Sequence, residues 1–537
     1  MHKIILSFLL IMLSPAIISN QARATAKQDK CYGGTLTWGV CNKPTIINPI
    51  LTIQSVSAPL QDLIFNKLIR WSSKGDVEPD LAERWDVSAD GLVYTFYLRK
   101  GVKFHDGVEC TAEDVKFTFD KIIDPQVNSP FRSSFQLVKD FKVVDQYAFQ
   151  VILKKPVVSF IYRLIREIAP KHLLEKADLR SSYFNFHPIG TGPFKFKDWT
   201  NDNQIILEYN PDYYEGRPYL DEIMVKTYSD SRELWAALMR QEIDLVLFLE
   251  REDYEIVKND PSFKTYVFPV DGYYAIVYNL DDPILADKKA REAIASAIDR
   301  KSLIQRIAFG YGLESDGPFY PDSFAFNPQV KPVEFNPDKA TALLSEAGWK
   351  DIDQDGVLEK DEEELEIRIL VDARNDIQRR IIMLLRQQLQ EAGIKLKVQL
   401  YDNEQMLTQE FLEQNKSQAQ LKLLMAGMDP DQVGDEWFGK GLEKIRYLWS
   451  YKNVEIERYF ALGRINQDKK KREWIYQEIH RFIYQDQPVC FLYFPFWFHA
   501  VSAKFENTDK LFTLSMPFYA IKDWRLKQKI FVQKERR

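Results

Sequence analysis

The stretch from Ala82 to Asp120, AERWDVSADGLVYTFYLRKGVKFHDGVECTAEDVKFTFD, leaves little freedom to the fold around it. Apolar residues alternate through LVYTFYL, the period of a half-buried strand. Asp90-Gly91 and Asp106-Gly107 are turn dipeptides between apolar runs: glycine supplies positive φ, and aspartate bonds its own following backbone. Residues 92–107 read as two strands turning at Gly101. Thr111 with Glu113-Asp114 then marks a helix start over 110–123, a hydroxyl acceptor followed by acids at the positive end of the helix dipole. Trp85, Tyr94 and Phe96 are core candidates.

The rest of the chain repeats this mixture. GGTLTWGV (33–40) and LEIRILVD (365–372) alternate as strands. Residues 287–310 read as one amphipathic helix ending at glycine. Residues 336–349 carry Asn336 as N-cap, Pro337 in the first turn and Gly348 past the end, and 376–393 follow the same grammar. VCFLYFPFWF (489–498) is too short to span a bilayer and reads as a buried strand. A chain of 537 residues has material for roughly two to four domains. The expected class is mixed α/β, with no internal repeat and no low-complexity linker.

The N-terminus reads as a secretory signal peptide over residues 1–24. His2 and Lys3 give a positive start, Ile4 to Ile18 is a short apolar run, and Ala22-Arg23-Ala24 offers a cleavage site. No cysteine stands at that point, so a lipid anchor is not expected, and the mature chain should be free in its compartment. The net charge of −6 argues against nucleic acid as a partner. The basic runs 469–472 and 534–537 read as a solvated helix start and a tail. Of the four cysteines, Cys31 and Cys41 flank a strand too long for their Cα atoms to come within bridging distance. The remaining pairings stay open.

No nucleophile elbow, zinc-protease helix, phosphate loop or dinucleotide fingerprint is present, and the histidines stand singly. One loop does carry ligand chemistry. DIDQDGVLEKDE (351–362) has acids at loop positions 1, 3, 5, 9 and 12 and glycine at 6, the spacing of a calcium loop. It joins a helix to a strand, whereas an EF-hand needs two helices. Asp351, Asp353, Asp355, the Val357 carbonyl and Glu362 could hold a structural calcium; the other reading is a polar connection turned by glycine. No cofactor is required by either.

Three stretches together resemble the family 5 extracellular solute-binding proteins, the dipeptide-, oligopeptide- and nickel-binding proteins of ABC importers. They are 82–120, HPIGTGPFKF (187–196) with YNPDYYEGRPYLDEI (209–223), and REAIASAIDRKSLI (291–304) with the 336–349 helix. The resemblance implies a two-lobed fold with an extra inserted domain and a hinge. The first lobe would combine 27–57, 185–272 and 497–537, the inserted domain would span 58–184, and the second lobe 273–496. It implies a monomeric periplasmic binder, not an enzyme, that encloses a peptide or similar small solute and delivers it to a membrane permease. Alternatives are an exported scaffold acting as chaperone-like or sensory partner of a receptor, or a binder of chelated nickel or oligosaccharide. Gly190 and Gly192 would allow a close backbone approach where domains meet.

Peptide binders of this family often carry an Asp-Tyr-x-x-Pro segment whose aspartate holds the peptide amine. Here LLMAGMDPDQVGDEWF (423–438) keeps the Asp-Pro at 429–430 but has Gly427-Met428 in place of Asp-Tyr. Asp429 or Asp431 could replace the missing anchor, or the ligand could lack a free amine. The other expected ligand-binding residues are Asn48, Tyr274, Tyr278 and Trp437.

Overall fold

The computed structural model describes residues 32–52, 56–200, 204–402, 417–438, 451–513 and 515–527. The leader read at 1–24 and Cys31 lie outside them. The strands used below are β1 (Thr35–Val40), β2 (Ala82–Val87), β3 (Val93–Leu98), β4 (Val138–Asp145), β5 (Ala148–Leu153), β6 (Phe194–Trp199), β7 (Gln204–Tyr209) and β8 (Glu222–Thr227). They continue with β9 (Leu245–Val246), β10 (Phe263–Pro269), β11 (Gly272–Tyr278), β12 (Gly312–Glu314), β13 (Glu366–Asp372), β14 (Lys395–Tyr401), β15 (Ala419–Met425) and β16 (Val489–Ser502). The helices used are α1 (Ala112–Ile123), α2 (Lys288–Ser296), α3 (Arg300–Ile307), α4 (Pro337–Glu346), α5 (Asp376–Glu391), α6 (Asp431–Phe438), α7 (Val454–Ile465) and α8 (Lys469–Asp486).

Twelve strands pair in one network that is two sheets joined through a single long strand. On one side the order is β6-β7-β8-β1-β9-β16, and on the other β14-β13-β15-β11-β16. The two sheets with their helices form the two lobes. β16 belongs to both: residues 489–493 pair with β11, whereas 496–502 pair with β10. A second passage from sheet to sheet is made by Val270 and Asp271, between β10 and β11. The two passages lie side by side, a crossing where Val270 N–H bonds the Pro495 carbonyl at 2.8 Å.

A separate sheet, β2-β3-β5-β4, lies wholly within 58–184. The Asp90-Gly91 turn joins β2 to β3, with Gly91 at φ +70°. The expected second strand after Gly101 does not form. Phe104 N–H instead bonds the Val108 carbonyl in a tight turn, leaving one isolated bridge from Lys103 to Glu109. Thr111 caps α1 as read: its hydroxyl accepts from Glu113 N–H, and Asp114 reaches back to the Thr111 N–H. Trp85, Tyr94 and Phe96 enter the core, Trp85 only partly buried.

The helix expected over 287–310 is two helices, α2 and α3. Asp299 interrupts them because its carboxylate accepts the Ser302 N–H at 2.9 Å and starts a new helix. Asn336 and Asn375 cap α4 and α5. Cys41, Cys110 and Cys490 are free thiols, so none of the pairings among these three is formed.

One apolar core runs from β1 (Leu36, Trp38) through the 58–184 region (Phe96, Phe119, Phe149) to Trp524. The second lobe has its own cores on the two faces of its sheet, around Ile369 and Leu385 on one and Tyr273, Phe460 and Tyr476 on the other. Among the described residues, neither of these includes a residue from 58–184.

Candidate functional site

Parallel strands give each lobe a natural binding end. In the first lobe β8, β1 and β9 run parallel, with β1 between the other two. In the second, β14, β13 and β15 run parallel, with β13 between. Open sheets of this kind bind ligands at the carboxyl ends of strands where the order reverses. The pairing registers aim both ends at the crossing. β9 is antiparallel to β16, with Val246 opposite Ala500, and β15 is antiparallel to β11, with Met425 opposite Gly272. The chain therefore leaves β9 and β15 beside the crossing from opposite sides.

The side chains at these ends suit a binding cleft. Phe248, just past β9, is held at φ +57° and is 48% exposed, although it is a large apolar ring. It meets the partly buried Trp497 edge to face, with centroids 4.8 Å apart. Met425, the last residue of β15, is 43% exposed. Behind the aromatic pair, His499 stacks on Phe268 with no polar partner at either ring nitrogen, and burial lowers its pKa to about 3. Asp271 lies in the crossing itself. Sequence reasoning singled out none of Phe248, Trp497, Met425 or Asp271. Only Asp271 left a local trace, the Asp-Gly step between two apolar runs.

The six residues named from sequence are placed differently. Asn48 is fully buried in the first lobe, donating to Asn185 Oδ1 at 2.7 Å and accepting from Ile50 N–H at 2.9 Å. Its amide is occupied in holding a loop. Tyr278 is buried in the second-lobe core with Cys490, which shields it from solute. Trp437 lies along Phe491 in the other core of that lobe. Tyr274 comes nearest to the strand ends: it packs on Tyr493, and its hydroxyl bonds Asn375 at the start of α5. Burial raises its pKa to about 12.

Asp429 and Asp431 are brought together, but facing inward. Arg472 of α8 forks onto Asp429, with Nη1 to Oδ2 at 2.9 Å and Nη2 to Oδ1 at 2.7 Å. Its Nε donates to the Gly463 carbonyl, and its Nη2 lies 3.6 Å from Asp431 Oδ2. Asp431 also accepts from the Tyr476 hydroxyl and, at 2.5 Å, from the Ser159 hydroxyl. Both acids are almost fully buried. Burial opposes the charge of Arg472, yet the hydrogen bonds and charge of Asp429 outweigh it and raise its pKa. This corrects the reading of either acid as a free amine anchor: in this conformation their oxygens are occupied by the protein. Ser159 belongs to the 58–184 region, so Asp431 ties that region to the second lobe.

The acidic loop folds as a connection between α4 and β13. Oxygens of Asp351, Asp353, Asp355 and Glu359 lie within 4.8 Å of one another, all on exposed or half-buried residues. Glu359 takes the place expected for Glu362. The chain enters a hairpin, Glu359–Lys360 against Glu363–Glu364, and Glu362 sits in its turn at φ +68°. Val357 uses its N–H to bond Asp355 Oδ1 at 2.8 Å.

The family described as bacterial extracellular solute-binding proteins, family 5, matches residues 76–452. The chain belongs to this family. The solute-binding protein is 31% identical over 507 residues to the oligopeptide-binding protein AppA of Bacillus subtilis, covering 91% of this chain and 92% of that one. Heme-binding protein A of Haemophilus influenzae is 29% identical over 358 residues, 62% of this chain and 65% of its own. Among solved structures, AppA of B. subtilis with a nonapeptide superposes with a TM-score of 0.75 at 30% identity, over 93% of this chain and all of that one. NikZ of Campylobacter jejuni with Ni(L-His) also gives 0.75, at 27% identity, over 91% of this chain and 99% of that one. The solute-binding protein has the two-lobed fold of these relatives. Among its described residues, no helix is long and apolar enough to cross a membrane.

Proposed function

We propose that this solute-binding protein captures peptides between its lobes in the periplasm, as a monomer, and delivers them to the permease of an ABC importer. The observation that carries the reading is the likeness to an oligopeptide-binding protein over more than nine-tenths of both chains. The two facing strand ends, lined by Phe248, Met425 and Trp497, support a cleft that closes over a short extended chain. The hinge is the crossing at 270–271 and 495–496. The lobe boundaries proposed are those drawn from the resemblance, and the chain passes from sheet to sheet near them, between β10 and β11 and again within β16. We further propose that Asp351, Asp353, Asp355 and Glu359 hold a structural calcium.

Native mass spectrometry of protein purified from an exporting host without denaturation tests the main reading. A heterogeneous set of adducts with peptide masses is expected. A uniform adduct of heme or of a metal chelate would replace it with a different solute class.

A further inference from the structure

Asp271 is one of the two residues that carry the chain from β10 to β11, and both of its polar ends face the segment leaving β15. Its backbone carbonyl accepts the Ala426 N–H at 3.1 Å, and its carboxylate accepts the Gly427 N–H. Gly427 can aim that N–H because it sits at φ +74°, where a Cβ would also run into Gln432. The carboxylate is therefore fixed against the binding end of the second lobe, beside the exposed Met425, on a residue that is half-buried.

What distinguishes this acid is the lack of a counter-charge. Asp429 and Asp431, farther along the same segment, share Arg472. Asp372, at the end of β13, holds the Arg374 N–H and lies 3.6 Å from the Arg374 side chain. Among the described residues no cation pairs with Asp271. Burial raises its pKa to about 6, with only the Gly427 N–H acting in the opposite direction. An ionised carboxylate held out of water without a partner is costly, and a hydrogen-bonded cation removes that cost. Nothing in the packing requires an acid here, since an amide oxygen would accept the same N–H.

We propose that Asp271 is the acceptor for the ammonium group of the captured solute, the α-amine of a peptide on the reading given above, on which this inference rests. The anchor absent from this segment is supplied from the hinge, whose Asp271 accepts the Ala426 and Gly427 N–H groups.

The test uses Asp271→Asn, which keeps an oxygen for the Gly427 N–H and removes only the charge. Two probe sets are titrated calorimetrically into the full-length mature protein after ligand removal: free-amine peptides of two to nine residues, and the same peptides N-acetylated. The wild type should prefer the free-amine set by at least about thirtyfold, the loss typical of unpairing a desolvated charge. Asp271→Asn should erase that preference while leaving the affinity for the acetylated set within about twofold. If the wild type and the variant bind both sets alike, or the variant keeps the amine preference, the role of Asp271 is overturned and the peptide reading stands. If neither protein binds either set, both fall.

Discussion

The 58–184 region touches both lobes, and the two junctions are built from different materials. Against the first lobe it shares an apolar core, and backbone meets backbone without a side chain between. Gly192 N–H bonds the Ile64 carbonyl at 2.8 Å, and His105 spans the glycine pair, accepting from Gly190 N–H and lying 3.1 Å from the Gly192 carbonyl. Charges lock the same junction, with Arg70 2.9 Å from Glu215 and the Tyr214 hydroxyl on Asp80 at 2.6 Å. Against the second lobe, among the described residues, no apolar core is shared and the contact is largely polar. Among the described residues it includes Ser159 on Asp431, the turn Val158–Leu164 beside α7, and approaches of Met428 to Gly75 and of Gln467 to Gly91. A junction that shares a core moves as one body. A junction of hydroxyl and carboxylate can open, because water replaces each hydrogen bond at little net cost. The first contact therefore defines the rigid half of the molecule, and the second closes it.

The strongest way to break this contrast is to force the glycine contact apart. A Cβ on Gly190 would lie 2.1 Å from the Ile64 oxygen, and on Gly192 2.5 Å from the Leu63 oxygen. Gly190→Val or Gly192→Val should cost about 4 kcal/mol or more, read as lost soluble yield or a large fall in Tm. Tolerance of either would mean that the first junction is as adaptable as the second.

Next in size is acid. Burial lowers the His105 pKa to about 4, the Gly192 carbonyl only partly opposing it, with Lys195 and Asp106 the charged groups nearby. Between about pH 6.5 and 4 the unfolded chain binds more protons than the native one, so stability is lost as pH falls through that window. The loss should reach about 3 kcal/mol by pH 4. Denaturant titrations at pH 7, 5.5 and 4.5 should show His105→Gln with a shallower pH slope than the wild type. Part of the slope should remain, because His499 acts in the same direction.

The second junction should answer more gently. Ser159→Ala leaves Asp431 its Tyr476 bond, so Tm should move by only a degree or two. Closure should weaken by about 1–2 kcal/mol, seen as roughly tenfold poorer ligand affinity and a larger radius of gyration by small-angle scattering. A fall in Tm matching that of the glycine variants would erase the distinction between the junctions. The smallest effect on ligand affinity is expected at the 351–359 loop, which lies in the second lobe away from both. Calcium at millimolar concentration should raise Tm by a few degrees without changing ligand affinity. An equal rise in Asp353→Ala would remove the metal from consideration.

These contacts also mark what the sequence could disclose. Thr111, Asn336 and Asn375 speak through partners two or three residues away, so their helices were legible. So was the buried run at 489–498, although the strand continues to Ser502. The 287–310 segment keeps one apolar stripe, and nothing local announces that Asp299 will turn its carboxylate onto Ser302. The hairpin was misplaced because Asp90-Gly91, Gly101 and Asp106-Gly107 offer three turns, and only pairing with β5 selects the first. The site was harder still. Arg472 is 43 positions from Asp429, and Ser159 is 272 from Asp431. No periodicity reports pairings at that distance. Tyr274 and Tyr278 stood out as aromatic residues, yet on a strand covered on both faces that is the mark of a core.

The long strand β16 has a bearing on the order of events in folding. It lies between residues 489 and 502, and it pairs with β9, β10, β11 and β12, all far upstream of it. Neither sheet can be completed until that strand has emerged, so the native pairings of both lobes close late and over long loops. Such non-local closure is slow. Until β16 pairs, the strands that flank it in both lobes keep open edges, whereas the separate sheet of the 58–184 region needs nothing from it.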